Sequence, residues 1–212
     1  TITFPAVADR QYSTTPSYNL SATIATPNST LSATNIVFTS STPSVCTVSG
    51  TLLSTVGVGT CTINANSSAA VGYTASYNAA PQVSRSFAIT KGNQTITFGA
   101  QAARTYSPGG TFAIGPLASS SSGLAISYSS LSPSDCTVAG TTVTIVSAGT
   151  CTIEASQDGN SIYLPATDVT QDVIINKAAQ TITFPAQGLQ GYVPGGSFAI
   201  NPLATSTSNL TV

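Results

Sequence analysis

Apolar and polar residues alternate along this chain with a period of two. Between residues 95 and 180 the alternation falls into seven short runs: Ile96 and Phe98; Phe112 and Ile114; Leu124, Ile126 and Tyr128; Cys136 and Val138; Val143 and Ile145; Cys151, Ile153 and Ala155; Val169, Val173 and Ile175. Successive side chains of a strand point to opposite faces, so each run predicts a short strand with one face buried. Pro108-Gly109-Gly110, Ala139-Gly140, Ala148-Gly149 and Asp158-Gly159-Asn160 lie between runs and supply chain reversals. No segment has helical spacing, and the β-branched Thr, Val and Ile that fill the runs suit a pleated, half-buried surface. The pattern predicts an all-β fold, a small antiparallel sandwich of about seven strands.

The same pattern recurs. Thr1-Ile2-Thr3-Phe4, Thr95-Ile96-Thr97-Phe98 and Thr181-Ile182-Thr183-Phe184 lie 94 and then 86 residues apart, and each is followed at the same distance by a tyrosine, Tyr12, Tyr106 or Tyr192. Around Cys46 and Cys136, Thr42-Pro43-Ser44-Val45-Cys46-Thr47-Val48 matches Ser132-Pro133-Ser134-Asp135-Cys136-Thr137-Val138, and Gly59-Thr60-Cys61-Thr62-Ile63 matches Gly149-Thr150-Cys151-Thr152-Ile153. Self-similarity at this period marks a tandem array. The expected division is 1–94, 95–180 and an incomplete third copy, 181–212. The first copy departs from the second at Ser17-Tyr18-Asn19-Leu20, and extra residues around 67–76 predict one longer loop.

Composition narrows the function classes. Charged residues are 5% of the chain while Ser and Thr number 65 of 212, so the surface is hydroxyl-rich and nearly uncharged. The apolar fraction of 41%, arranged periodically, is that of a chain that folds. The net charge is −1, and the five basic residues, Arg10, Arg85, Lys91, Arg104 and Lys177, are scattered. No basic patch is present to meet nucleic acid or anionic lipid. No apolar stretch nears the ~18 residues that cross a bilayer. There is no Met, and the chain opens on strand-like residues, as expected of a mature fragment or a window from something longer.

Each complete copy holds two cysteines 15 residues apart, Cys46 with Cys61 and Cys136 with Cys151. A zinc site usually takes Cys-x-x-Cys or His pairs, and this chain has neither. Two disulfides are the economical reading; free buried thiols fit the identical spacing poorly. Regular disulfides place the protein outside a reducing cytoplasm.

Gln-Thr-Ile-Thr-Phe, Pro-Gly-Gly-Thr-Phe-Ala-Ile, Cys-Thr-Val, Thr-Val-Thr-Ile and Ala-Gly-Thr-Cys-Thr-Ile, with Gly-Asn before a tyrosine, together resemble the bacterial immunoglobulin-like tandem repeats of large secreted and surface-anchored proteins. The resemblance implies immunoglobulin-like sandwiches in a bacterial adhesin, matrix protein or surface fibre, at the cell surface or beyond it. It transfers no catalytic, cofactor or metal-binding residue.

Chemistry is sparse. A serine nucleophile needs a base, and there is no His. Lys91 and Lys177 occupy equivalent positions after the last strand, as boundary residues; an isopeptide with Asn is the sharper alternative. The acids Asp9, Asp135, Glu154, Asp158, Asp168 and Asp172 form no pair common to both copies. Asp158 and Asn160, with Asp168, are a calcium candidate, weighed against a plain Asp-Gly-Asn turn. No enzyme activity and no cofactor are expected.

Tyr12, Tyr106 and Tyr192 could stack on sugars, but recurrence in every copy favours buried structural tyrosines with bonded hydroxyls. Asn-x-Ser/Thr triplets begin at Asn19, Asn28, Asn66, Asn93 and Asn209, about what chance gives in so hydroxyl-rich a chain.

The copies join almost without linkers, since Ile89-Thr90-Lys91-Gly92-Asn93-Gln94 runs straight into Thr95, which predicts a stiff end-to-end array. Its partners would be other copies of the repeat or chain. The opening strands of a third copy are too few to hold together alone. Either the array continues past this window or a neighbouring chain completes the sandwich by strand addition, and the second alternative makes Thr181, Ile182, Phe184, Tyr192, Phe198 and Ile200 the candidate inter-chain contacts. A carbohydrate-binding surface module, with host or surface glycans as partners, is the alternative reading.

Overall fold

A computed structural model describes residues 1–15, 18–25, 36–67, 70–71, 76–208 and 210–211, with the backbone alone at 70–71 and 76–77. The longer loop expected around 67–76 falls largely outside these residues, as do Ser17, Asn28 and Asn209. All regular structure among the described residues is β. The chain forms two compact units, one of Thr1–Gly99, Leu117–Ser127 and Glu154–Thr170, the other of Ala100–Pro116, Tyr128–Ile153 and Gln171–Val212.

In the first unit a four-stranded sheet runs in the order Arg10–Gln11, Val83–Thr90, Gly59–Ser67, Ile36–Ser40, and a three-stranded sheet in the order Tyr18–Asn19, Leu52–Thr55, Cys46–Ser49. Ile2–Thr3 pairs with Thr23–Ile24. Strand Gly59–Ser67 shows how alternation produces the layers. Cys61, Ile63 and Ala65 are fully buried in a cluster with Ile2, Phe4, Leu20, Phe38, Leu53, Phe87 and Ile89. The intervening polar residues bond across strands instead: Thr62 Oγ1 lies 2.8 Å from Ser86 Oγ, and Ser84 Oγ donates to Asn64 Oδ1 at 2.7 Å. Phe4 and Phe38 pack at 5.3 Å between ring centroids.

The second unit holds the equivalent three-stranded sheet, Thr111–Ala113, Thr142–Ile145, Cys136–Ala139. The four-stranded order Arg104–Thr105, Val169–Asn176, Gly149–Ser156, Ser127–Ser130 repeats that of the first copy. Two short strands have no apolar alternation to announce them, Arg104–Thr105 and Ser119–Ser120. The run from Leu124 to Tyr128 becomes a strand only from Ser127.

The cysteines join sheet to sheet. Cys46 begins the third strand of the smaller sheet and Cys61 lies in the larger, their Cα atoms 5.7 Å apart across the bridge; Cys136 and Cys151 repeat this at 5.5 Å. The hairpin read between the cysteines is real, Cys46–Ser49 with Leu52–Thr55. The bridge spans the core, however, because the chain crosses to the other sheet after that hairpin.

In the last segment Ile182–Thr183 pairs with Thr205–Ser206. The Gln187 amide brackets the turn before Leu203: its Nε2 donates to the Pro202 carbonyl at 2.9 Å and its Oε1 accepts from Asn201 N at 2.8 Å. Gln101 does the same for Pro116 and Gly115, both at 2.9 Å. The same amide bracket thus recurs 86 residues apart.

Candidate functional site

The residues with most to say about function are the boundary segments at 91–94 and 177–180 and the apolar face that follows the second. Within the first unit, segment 91–94 is gripped by loop 157–164. Gly92 N donates to Ile162 O at 2.9 Å, and Leu164 N donates back to Gly92 O at 2.9 Å. The turn that presents this loop is built locally. Asn160 Oδ1 accepts from both Ile162 N and Tyr163 N at 2.8 Å, and Gly159 takes a φ of +76° where an added Cβ would lie 2.4 Å from Tyr163 O. Asn160 of the calcium candidate is therefore committed to an Asx turn. Among the described residues no three His, Cys, Asp or Glu side chains gather as metal ligands.

Two side chains complete the grip. The Tyr12 and Tyr163 rings meet edge to face at 5.4 Å. Gln94 is only 7% exposed, and its amide is fully used: Nε2 donates to Leu164 O at 2.7 Å and to Gln157 Oε1, while Oε1 accepts from Ser122 Oγ. Gly92 is buried where a Cβ would lie 2.6 Å from Tyr12 O, so no larger residue fits without a backbone shift. Sequence reading treated this segment as a short linker. The glutamine of Gln-Thr-Ile-Thr-Phe, at Gln94 and again at Gln180, was the available signal, and sequence reading took it only as part of the repeat motif.

The repeated tyrosines differ from expectation. Tyr12 and Tyr106 are half-buried, and their backbone amides donate to Thr90 O at 2.9 Å and Asn176 O at 2.8 Å, at the ends of the last strands. Tyr192 is 91% exposed, with no such strand beside it among the described residues. Tyr192 thus lacks the covering that recurrence predicted and that Tyr12 and Tyr106 have in part.

The other candidate contact residues share this exposure. Ile182, Phe184 and Ile200 are 63%, 59% and 53% exposed, whereas their counterparts Ile96, Phe98 and Ile114 are 9%, 5% and 4%. Ile182, Phe184, Ile200, Leu203 and Ala204 line an apolar hollow of about 400 Å³, and Phe198 is exposed as well. Thr181 is held only locally, its amide on Thr207 Oγ1 at 2.9 Å. Nearby, Tyr106, Pro108, Ser147, the segment 177–180, Ser208 and Leu210 enclose a groove of about 650 Å³.

Two further features went unread in the sequence. The guanidinium of Arg10 lies 4.0 Å from the Tyr18 ring centroid, and that of Arg104 lies 4.8 Å from the Phe112 ring. Both Nε atoms are buried without a hydrogen-bond partner. Recurrence of the pair marks a structural clamp in each copy, at the short strand that sequence alternation missed.

No protein-family model matches the chain, and no curated protein matches it. Among solved structures the backbone is similar to mouse cadherin-23 EC22-24, at 13% identity over 88% of this chain and 70% of that one, with a TM-score of 0.39. It is similar to Drosophila N-cadherin EC1-4 at 14% identity over 82% and 49%, with a TM-score of 0.31. It is also similar to the C-terminal 282-residue fragment of intimin, solved in complex with the intimin-binding domain of the translocated intimin receptor, at 16% identity over 76% and 57% and a TM-score of 0.30.

Proposed function

We propose that this chain is a non-catalytic, load-bearing segment of a bacterial extracellular protein, an array of immunoglobulin-like repeats over 1–94, 95–180 and 181–212 that forms a surface fibre, matrix filament or adhesin stalk. One observation carries the reading. In both copies the entering strand lies parallel to the leaving strand, Arg10 beside Ile89 and Arg104 beside Ile175. The chain leaves each copy in the direction it entered. Tension on the two ends then loads these hydrogen bonds together, in shear, instead of opening them one at a time.

The two inter-sheet disulfides support an oxidising, extracellular setting. The glycan alternative has less support: the aromatics left exposed in the last segment, Phe184, Tyr192 and Phe198, match Phe98, Tyr106 and Phe112, which are buried or half-buried in the second copy. The test is to stretch the chain by its ends. Two unfolding events are expected, each short of its full contour by about 50 Å, the reach of the 15 residues each bridge withholds. Extension without a force peak sinks the load-bearing reading. Electron microscopy of native material then separates a fibre, seen as ordered filaments, from a stalk, seen as single thin rods.

A further inference from the structure

The groove around 177–180 has the outline of the first boundary with its gripping loop taken away. Every lining residue that matters has a counterpart there 94 or 86 residues earlier: Tyr106 for Tyr12, Lys177 for Lys91, Ala178 for Gly92, Gln180 for Gln94, Ser208 for Ser122, Leu210 for Leu124. Half of the Gln94 arrangement is already made, because Ser208 Oγ donates to Gln180 Oε1 at 2.5 Å as Ser122 Oγ does to Gln94 Oε1. What differs is the covering. Gly92 and Gln94 are buried under loop 157–164, whereas Ala178 and Gln180 are exposed.

From this equivalence we infer that the groove is the receiving half of a second joint, and that its occupant is the Gln-Asp-Gly-Asn-Ser-Ile-Tyr-Leu type of loop carried by a further repeat unit built on the 182–203 face. This rests on the array reading above and specifies the contact between units. The occupant's tyrosine meets Tyr106 edge to face, its glutamine takes the Gln180 amide, and its backbone pairs with Ala178. The apolar hollow beside the groove takes the core strands of the same unit, since Ile96, Phe98 and Ile114 are buried where Ile182, Phe184 and Ile200 are open. The second joint cannot copy the first atom for atom. Ala178 carries the Cβ that at Gly92 would come within 2.6 Å of a carbonyl, so its boundary backbone must sit slightly further off.

Residue 212 matches residue 126, so a second copy of 127–180 fused after Val212 continues the register of the repeat. Amide exchange in this extended chain is compared with that of the original. The expected result is at least tenfold slower exchange at Ala178, Ile182 and Phe184, reversed at Ala178 by Tyr→Ala at the fused copy of position 163 and slowed further by Ala178→Gly. Unchanged exchange at Ala178 overturns the inference, as does a fused segment that stays unprotected, because 181–212 is then no foundation for a unit. The original chain gives an independent check: Gln157→Ala with Tyr163→Ala should raise exchange at Gly92 towards that at Ala178, and a Gly92 amide that stays protected refutes the role given to the loop. These outcomes concern the joint alone; single rods, filaments or neither in native material decide the array reading separately.

Discussion

Removing one disulfide tests the link between cysteine spacing and stability. In Cys136→Ala with Cys151→Ala the second copy loses a bridge that closes a loop of 15 residues and joins its two sheets. Chain-entropy arithmetic gives about 3 kcal/mol for such a loop. Both cysteines are fully buried, so the truncated side chains also leave unfilled volume in the core, and the loss should not fall below that figure. For a copy of fewer than 100 residues each kcal/mol moves the midpoint by ~4–8 °C, so the second copy should melt about 12–24 °C lower. Calorimetry reads this directly, with the Cys46→Ala, Cys61→Ala pair as the matched experiment on the first copy. Full burial also means that a thiol reductant should attack only as fast as the sandwich opens. A midpoint loss under about 5 °C, or reduction of the folded chain within minutes, refutes the argument that these bridges close an otherwise expensive loop inside the core.

Three further outcomes follow from single positions. Arg104→Met keeps a long side chain at this position while removing a buried Nε without a partner, and the ring attraction lost is of similar size, so urea unfolding should shift by under ~1 kcal/mol; Arg104→Ala, which loses the side chain's packing as well, should cost about 1–2 kcal/mol. Gly92→Ala forces the boundary backbone off Tyr12 and should speed amide exchange at the substituted position and at Leu164 while leaving the strands around Cys151 untouched, which exchange mass spectrometry resolves. Ile153→Ala empties a fully buried position and should cost ~2–5 kcal/mol in denaturant titration, against under about 0.5 kcal/mol for the exposed Leu131→Ala.

Sequence reading reached the candidate boundary only in part. Gln94 is a polar residue among polar neighbours, and nothing in Gly92-Asn93-Gln94-Thr95 tells a buried amide from a solvated one. Burial came from loop 157–164, more than 60 residues further along the chain. Tyr12 carried a clear signal by recurrence, yet its setting is a boundary between strands, where it is only partly covered and its ring meets Tyr163. The strand Arg104–Thr105 was illegible for a related reason. A two-residue strand has no period to detect, and its arginine is covered by an aromatic ring, not by the apolar face that alternation marks.

By itself, the sequence determined the all-β class, the repeat, the turn positions and which face of each long strand is buried, because alternation, glycine and proline act over a few residues. It also determined which cysteines are partners, since spacing repeated in two copies leaves little choice. Only the tertiary structure decided that each bridge runs from sheet to sheet, that entering and leaving strands lie parallel, and that one glutamine is locked at a boundary while its counterpart is open. Those are contacts between residues distant in the chain. Their free energy depends on what lies opposite each side chain, which a local pattern does not encode.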